Sequence, residues 1–174
     1  MITRSTALTL VLTAGISGLI VGTASPALAQ GDPVGGYGNH WFFAGAGNET
    51  GRATRDFRYG NPDDIVLVGD WDGDGTDTLA VRRGNQYFLK NSISTGRADS
   101  VITYGDAGDT VLVGRWSGRS SGLAVQRGTT FYLKNSLTTG TADTQFSYGD
   151  PGDTVLVGDW NGDGVDSLGV RRTY

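Results

Sequence analysis

From Trp41 onward, short apolar runs alternate with turns rich in Gly, Asp, Asn, Ser and Thr. Four kinds of run recur, each the length of a strand. The first is Ile65-Val66-Leu67-Val68, repeated as Val111-Leu112-Val113 and Val155-Leu156-Val157. These are β-branched and aliphatic throughout, as a buried strand requires. The second is Leu79 to Arg82, repeated as Leu123 to Gln126 and Leu168 to Arg171. The third is Gln86 to Lys90, repeated as Thr130 to Lys134, with Trp41-Phe42-Phe43 as its first copy. The fourth is Ser100 to Tyr104, matched by Thr144 to Tyr148 and Arg55 to Tyr59, and its alternation turns one face inward. After each fourth strand, Tyr-Gly-Asn-Pro-Asp-Asp, Tyr-Gly-Asp-Ala-Gly-Asp or Tyr-Gly-Asp-Pro-Gly-Asp turns the chain into the next unit.

The runs keep a long period. Trp71, Trp116 and Trp160 stand 45 and 44 residues apart, and Tyr59, Tyr104 and Tyr148 keep the same intervals. A sustained period of this size marks a repeat architecture, and four short strands in one repeat is the size of a β-propeller blade. The expected fold is all-β, with propeller-type blades of four antiparallel strands in about three repeats over residues 41–174. Cut at the Val-Leu-Val strand, complete blades run from Asp64 to Tyr104 and from Asp109 to Tyr148. Residues 41–59 then supply the last two strands of another blade, and the residues after Asp153 supply a first two. Propellers hold roughly 4–8 blades, so three are too few for a ring within one chain. Two chains forming a homodimer could share mixed blades and complete a six-bladed ring; the alternative is an open, curved stack.

The segment ahead of the repeats has a different character. Met1-Ile2-Thr3-Arg4 is basic, Thr6 to Thr23 is apolar and uncharged, and Ser25-Pro26-Ala27-Leu28-Ala29 offers a small-x-small cleavage signal. Residues 1–29 read as a secretory signal peptide cut after Ala29, which predicts an extracellular protein with no membrane attachment after cleavage. Residues 30–40 form a Gly-rich lead-in. The chain has no cysteine, so a secreted domain must be held by its core, a bound metal or a partner chain. The formal net charge is −4, one unit more negative once Arg4 leaves with the leader. That argues against nucleic acid, whose phosphates demand a basic face. Glu49 is the only Glu among 18 acidic residues. Asp favours turns and short oxygen-ligand loops, and the Gly-rich, Asp-rich composition points to strands and turns with little helix.

The acids concentrate in loops. Between the first and second strands lies Asp70-Trp71-Asp72-Gly73-Asp74-Gly75-Thr76-Asp77, four carboxylates in eight positions. Close carboxylates repel, so such a loop needs a cation or full exposure to water. Ca²⁺ prefers several hard oxygens in a flexible loop with a Gly at the sharp turn. Asp70, Asp72 and Asp74 at alternate positions, the Thr76 carbonyl, and Asp77 or the Thr78 hydroxyl compose a candidate calcium site. The third repeat offers Asp159, Asn161, Asp163, the Val165 carbonyl, and Asp166 or Ser167, with one charge fewer. The plain alternative is a metal-free turn in which the Asp side chains bond nearby N–H groups. In the middle copy Arg115, Ser117 and Arg119 replace the three leading ligands, so no divalent cation is expected there. The two arginines either stand in for the metal's charge beside Asp106 or Asp109, or reflect loop drift.

The pattern Gly-Asp-x-(Asp/Asn)-Gly-Asp-Gly followed by a Leu-x-Val strand resembles the FG-GAP/VCBS repeats of integrin α-type propellers. Tyr-Phe-Leu-Lys-Asn-Ser and Gly-Asp-Trp bring it nearest to the secreted bacterial variety, over Trp41 to Tyr174. The resemblance implies a calcium-binding β-propeller, with adhesion or ligand recognition as common uses. It departs from that family at the ninth loop position, where an acid is usual and this chain has Thr78 and Ser167.

The remaining chemistry is sparse. His40 is the sole histidine and sits at the edge of the lead-in, so no nucleophile triad is proposed, and Glu49 in a Gly-rich turn is a poor catalytic acid. Paired carboxylates are plentiful, which keeps a hydrolase of the glycosidase type as the least favoured reading, and the expectation is no enzymatic activity. Lys90-Asn91-Ser92 and Lys134-Asn135-Ser136 recur, as do Arg83, Arg127 and Arg172, which is first a structural signal and second a ligand site repeated per blade. The leading expectation is a secreted calcium-binding module for a glycan or cell-wall polymer. A self-associating structural protein of the cell surface is its rival.

Overall fold

The computed structural model describes residues 40–45 and 51–173. The signal peptide expected over 1–29, the lead-in expected over 30–40 apart from His40, and Glu49 lie outside the described residues. Among the described residues there are twelve strands and no helix: β1 (His40–Phe43), β2 (Arg55–Arg58), β3 (Ile65–Gly69), β4 (Thr78–Arg83), β5 (Gln86–Leu89), β6 (Ser100–Thr103), β7 (Thr110–Gly114), β8 (Gly122–Arg127), β9 (Thr130–Lys134), β10 (Thr144–Ser147), β11 (Thr154–Gly158) and β12 (Ser167–Arg171). Each falls on a run expected from the sequence. Strands β3 to β6 and β7 to β10 form two four-stranded antiparallel meanders, and β1–β2 and β11–β12 form two-stranded sheets at either end of the described chain. The division therefore matches the cut at the Val-Leu-Val strand, with two complete sheets and two halves.

The sheets stack face to face in chain order. One core joins the β1–β2 half to the next sheet through Phe57, Tyr59, Val66, Leu79 and Val81. A second joins the two complete sheets through Leu67, Tyr87, Leu89, Ile102 and Tyr104 on one side and Val111, Val113, Leu123 and Val125 on the other. A third sets Leu112, Ala124 and Phe131 against Val157, with Val155 and Leu168 packed beside them. The first strands β3, β7 and β11 are successive neighbours, so the sheets fan out from one side. Among the described residues β1 pairs only with β2 and β12 only with β11, and the array is open. The described residues form no closed propeller.

Polar ties reinforce the stacking. The Tyr59 hydroxyl donates to the Phe88 carbonyl of the next sheet at 2.7 Å, and Tyr104 repeats the bond to the Tyr132 carbonyl at 2.6 Å. The buried Arg82 guanidinium donates to the carbonyls of Asp109, Asp106 and Ala107 at 2.7, 2.9 and 3.3 Å, fixing the turn into the next sheet. The loop tryptophans pack back onto the strand they follow. At Gly114 a side-chain carbon would lie 2.8 Å from the Trp116 ring, so only glycine lets the indole settle there. Trp71 and Trp116 sit in or against the core, but Trp160 is 59% exposed, because among the described residues no further sheet covers β11–β12.

Candidate metal centre

The loop between β3 and β4 is built by its first residue. Gly69 and Thr78 face each other across the strand pair and close residues 70–77 into a tight excursion. Asp70 is buried, and its Oδ1 accepts the N–H of Gly73 at 2.7 Å and of Asp74 at 3.1 Å, while Oδ2 accepts that of Gly75 at 2.9 Å. Asp72 Oδ1 accepts the Asp74 N–H at 3.3 Å, and Asp74 Oδ1 that of Thr76 at 2.7 Å. Gly75 holds φ at +88°, a left-handed conformation that a residue with Cβ adopts only at a cost.

The loop between β11 and β12 repeats this geometry. Asp159 accepts the N–H groups of Gly162, Asp163 and Gly164 at 2.7, 3.1 and 2.8 Å. Asn161 Oδ1 accepts from Asp163 N–H at 3.2 Å, and Asp163 Oδ1 from Val165 N–H at 2.8 Å. The Gly164 N–H foremost, with those of Gly162 and Asp163, holds the Asp159 carboxyl below its usual range.

Asp70, Asp72 and Asp74 each present an oxygen within 4.8 Å of the others, with Asp70 buried and the other two exposed. Amide donors organise these carboxylates but bring no net charge, so three negative charges remain close together. A carboxylate offers about four acceptor positions, and the amide bonds leave capacity on all three. The donor set is hard oxygen alone, and three such carboxylates could together hold a metal ion. In the third loop the Asn161 amide donates to Asp163 Oδ2 at 2.9 Å, so that loop satisfies itself further and carries less charge.

The seventh and eighth positions behave differently from the first five. Thr76 and Val165 donate their N–H groups back to Asp74 and Asp163. Asp77 is exposed and stands outside the three-carboxylate group. Asp166 is buried and engages the neighbouring sheet: its Oδ2 accepts the Arg115 N–H at 2.7 Å, and its own N–H donates to the Arg115 carbonyl at 2.9 Å. Ser121 makes the same clasp one repeat earlier. Its Oγ accepts the Asp70 N–H at 3.0 Å, and its N–H donates to the Asp70 carbonyl at 2.6 Å. The eighth position of one loop is thus tied to the first position of the loop before it. The sequence carried one sign of this, since the middle loop loses its acidic ligands yet keeps a side-chain acceptor at Ser121.

The middle loop does not use its arginines as a metal substitute for Asp106 and Asp109. Those two carboxylates belong to Arg127, at 2.7 and 2.6 Å. Arg119 is exposed, and the Arg115 Nε is buried without a partner among the described residues.

Arg127 belongs to a series. Arg83, Arg127 and Arg172 each grip Asp64, Asp109 or Asp153 with two N–H groups at 2.6–2.8 Å. The same carboxylate also accepts a turn N–H, from Asn61, Asp106 or Asp150. Paired with Arg172, Asp153 is held at about 2, and Arg127 likewise lowers Asp109. Lys90 and Lys134 are buried too, donating to the Arg97 and Thr141 carbonyls at 3.2 and 2.9 Å beneath the rings of Tyr59 and Tyr104. Both recurring sets are therefore structural.

The lowered carboxyls set the acid limit. A group whose folded pKa is depressed stabilises the fold above its unfolded value, roughly 3.9 for Asp, and loses that contribution as pH falls through the folded value. In metal-free buffer the melting temperature should stay level from pH 7 to 5 and fall from about pH 4 towards 2. A decline already complete at pH 5 would contradict the Asp–Arg assignment.

Two grooves open at equivalent places between successive sheets. One, of about 520 Å³, is lined by Tyr104, Arg127, Tyr132, Asp143 and Gln145. Its counterpart, of about 340 Å³, is lined by Tyr59, Arg83, Phe88 and Arg97. Each sets a half-buried aromatic ring beside charged and amide groups. Compared with protein-family models, curated proteins and solved structures, the chain matches none.

Proposed function

We propose that the chain is an extracellular calcium-binding repeat protein of the FG-GAP/VCBS type, its sheets acting as propeller-type blades, and that it works by binding a glycan or cell-wall polymer. The observation that carries the metal part is the duplicated loop. Two loops 89 residues apart, 70–77 and 159–166, fold alike around Asp70 and Asp159, and the first gathers three carboxylate oxygens. Ca²⁺ held by Asp70, Asp72 and Asp74, and more weakly by Asp159, Asn161 and Asp163, would supply the positive charge that the loops lack. It would also lock the first strand pair of each sheet. The ligand class rests on the resemblance and on the leader. The grooves beside Tyr132 and Phe88 offer a surface suited to a sugar ring, an aromatic face with amide and charged groups at its rim.

Calcium titration calorimetry and a glycan array in calcium buffer test this reading together. Binding of one tighter and one weaker Ca²⁺, with Mg²⁺ a poor competitor, is expected. Saccharide binding that Tyr132→Ala reduces at least tenfold is expected with it. Absence of any calcium heat would overturn the metal assignment, and an empty array the ligand class.

One observation favours the second reading, a self-associating structural protein. Among the described residues, the two half-sheets leave strand edges open at both ends of the stack.

A further inference from the structure

We infer that two copies of this chain complete each other, β12 of one pairing antiparallel with β1 of the other, so that the two half-sheets join into one four-stranded sheet at each of two symmetric junctions. This rests on the self-association reading above and adds the partner, the strands and the register.

The complete sheets supply the template. In them the second strand always pairs with the third: Val81 faces Phe88 and Ala80 faces Leu89, and Val125 faces Tyr132 and Ala124 faces Leu133. The third strand pairs with the fourth in a fixed register, in which Gln86 meets Thr103 and Thr130 meets Ser147. In the first half-sheet His40 meets Arg58 in that same register, so β1 is a third strand with no second strand beside it among the described residues, and Phe42 is the equivalent of Phe88 and Tyr132. β12 is a second strand with no third strand beside it among the described residues, and Val170 is the equivalent of Val81 and Val125. The join therefore sets Val170 opposite the partner copy's Phe42, and Gly169 opposite its Phe43. The turn between β4 and β5 is Gly84-Asn85, and in sequence the same pair, Gly38-Asn39, precedes β1.

Exposure agrees at both surfaces. Leu67 and Leu112 are 0% and 5% exposed, but their counterpart Leu156 is 43% exposed. Tyr59 and Tyr104 are 5% and 3% exposed, while Tyr148 is 46% exposed. The first two tyrosines donate to the carbonyls of Phe88 and Tyr132 on the next sheet's third strand. The equivalent acceptor for Tyr148 is the Phe42 carbonyl, which a second copy would bring. Phe42 itself is 63% exposed. A cavity of about 330 Å³ lined by Leu133, Phe146, Tyr148 and Leu168 lies where that third strand would enter. The loop clasp extends in the same sense: by the repeat of Asp70–Ser121 and Arg115–Asp166, Asp159 would meet the partner copy's Asp77. Two chains then hold six sheets, within the usual range for a closed ring, and every open edge is paired.

The test uses the full chain expressed through a secretory pathway, and the absence of native cysteine makes disulfide trapping clean. Sedimentation equilibrium should give twice the protomer mass. Val170→Cys mixed with Phe42→Cys should form a covalent pair under mild oxidation. Val170→Cys mixed with Asp56→Cys, one strand further out and beyond disulfide reach, should cross-link at least tenfold more slowly. Phe42→Lys, at an exposed site, should weaken the dimer at least tenfold while leaving the circular dichroism spectrum of the protomer unchanged. A monomer at every concentration overturns this inference and the self-association reading together. A ladder of larger multimers with the same cross-link preserves self-association and overturns the two-chain ring. A dimer in which both mixtures cross-link equally overturns the register.

Discussion

Asp70→Ala should destabilise the protein by about 2–3 kcal/mol in calcium-free buffer and should remove most of the stabilisation that calcium brings. The Asp70 carboxylate accepts three N–H groups, from Gly73, Asp74 and Gly75. Each such bond contributes about 1 kcal/mol net, and the exposed loop lets the freed amides meet water, which keeps the loss near the sum of the bonds. The metal adds a separate quantity. At free Ca²⁺ 100-fold above its dissociation constant, one site stabilises the fold by about 2.7 kcal/mol, or about 10 °C in melting temperature. Asp159→Ala should show a smaller calcium effect, because Asn161 lowers the charge there and bonds Asp163. Denaturant titrations of both variants and of the unaltered chain, with calcium and with chelator, separate the two contributions. Equal midpoints for the unaltered chain in both buffers would sink the metal assignment and leave Asp70 as a loop organiser alone.

Phe131→Ala should cost about 3–5 kcal/mol, the usual loss for a fully buried aromatic ring. Phe131 has no exposed surface and fills the core between the second complete sheet and β11–β12, beside Leu112, Ala124 and Val157. A domain of this size holds about 5–15 kcal/mol in all, so the variant should be marginal at room temperature. Phe146, stacked on Phe131 at 5.9 Å but 37% exposed in the protomer, should cost only about 1 kcal/mol when truncated and measured at concentrations too low for pairing of two chains. The contrast in urea midpoints between the two variants checks the order of stacking. Similar losses at both positions would mean that the outer face of β10 is already covered.

Much of the architecture was legible because a repeat prints each strand more than once. The alternating or wholly apolar runs located the twelve strands of the described residues, and the cut at the Val-Leu-Val strand located the division into two whole sheets and two halves. Local Asx-type loop closure was legible too, since Asp70 and Asp159 act on amides only three to five residues away. Contacts that cross between sheets were not legible in this way. Asp166 and Asp77 share a loop position and a residue type, yet Asp166 is buried against Arg115 while Asp77 is exposed. Their difference comes from whether a neighbouring loop lies alongside. Arg127, and not Arg115, neutralises Asp106 and Asp109, because β8 ends beside the turn that carries them.

The sequence by itself determined the strands, the Asp-built loops and the grouping of strands into repeats, because each of these follows from residues near one another in the chain. The tertiary structure alone decided which side chains are spent on holding sheet to sheet. Tyr59, Tyr104, Arg82, Ser121 and Asp166 reach partners 24 to 51 residues away. Those partners come within reach only once the sheets have stacked.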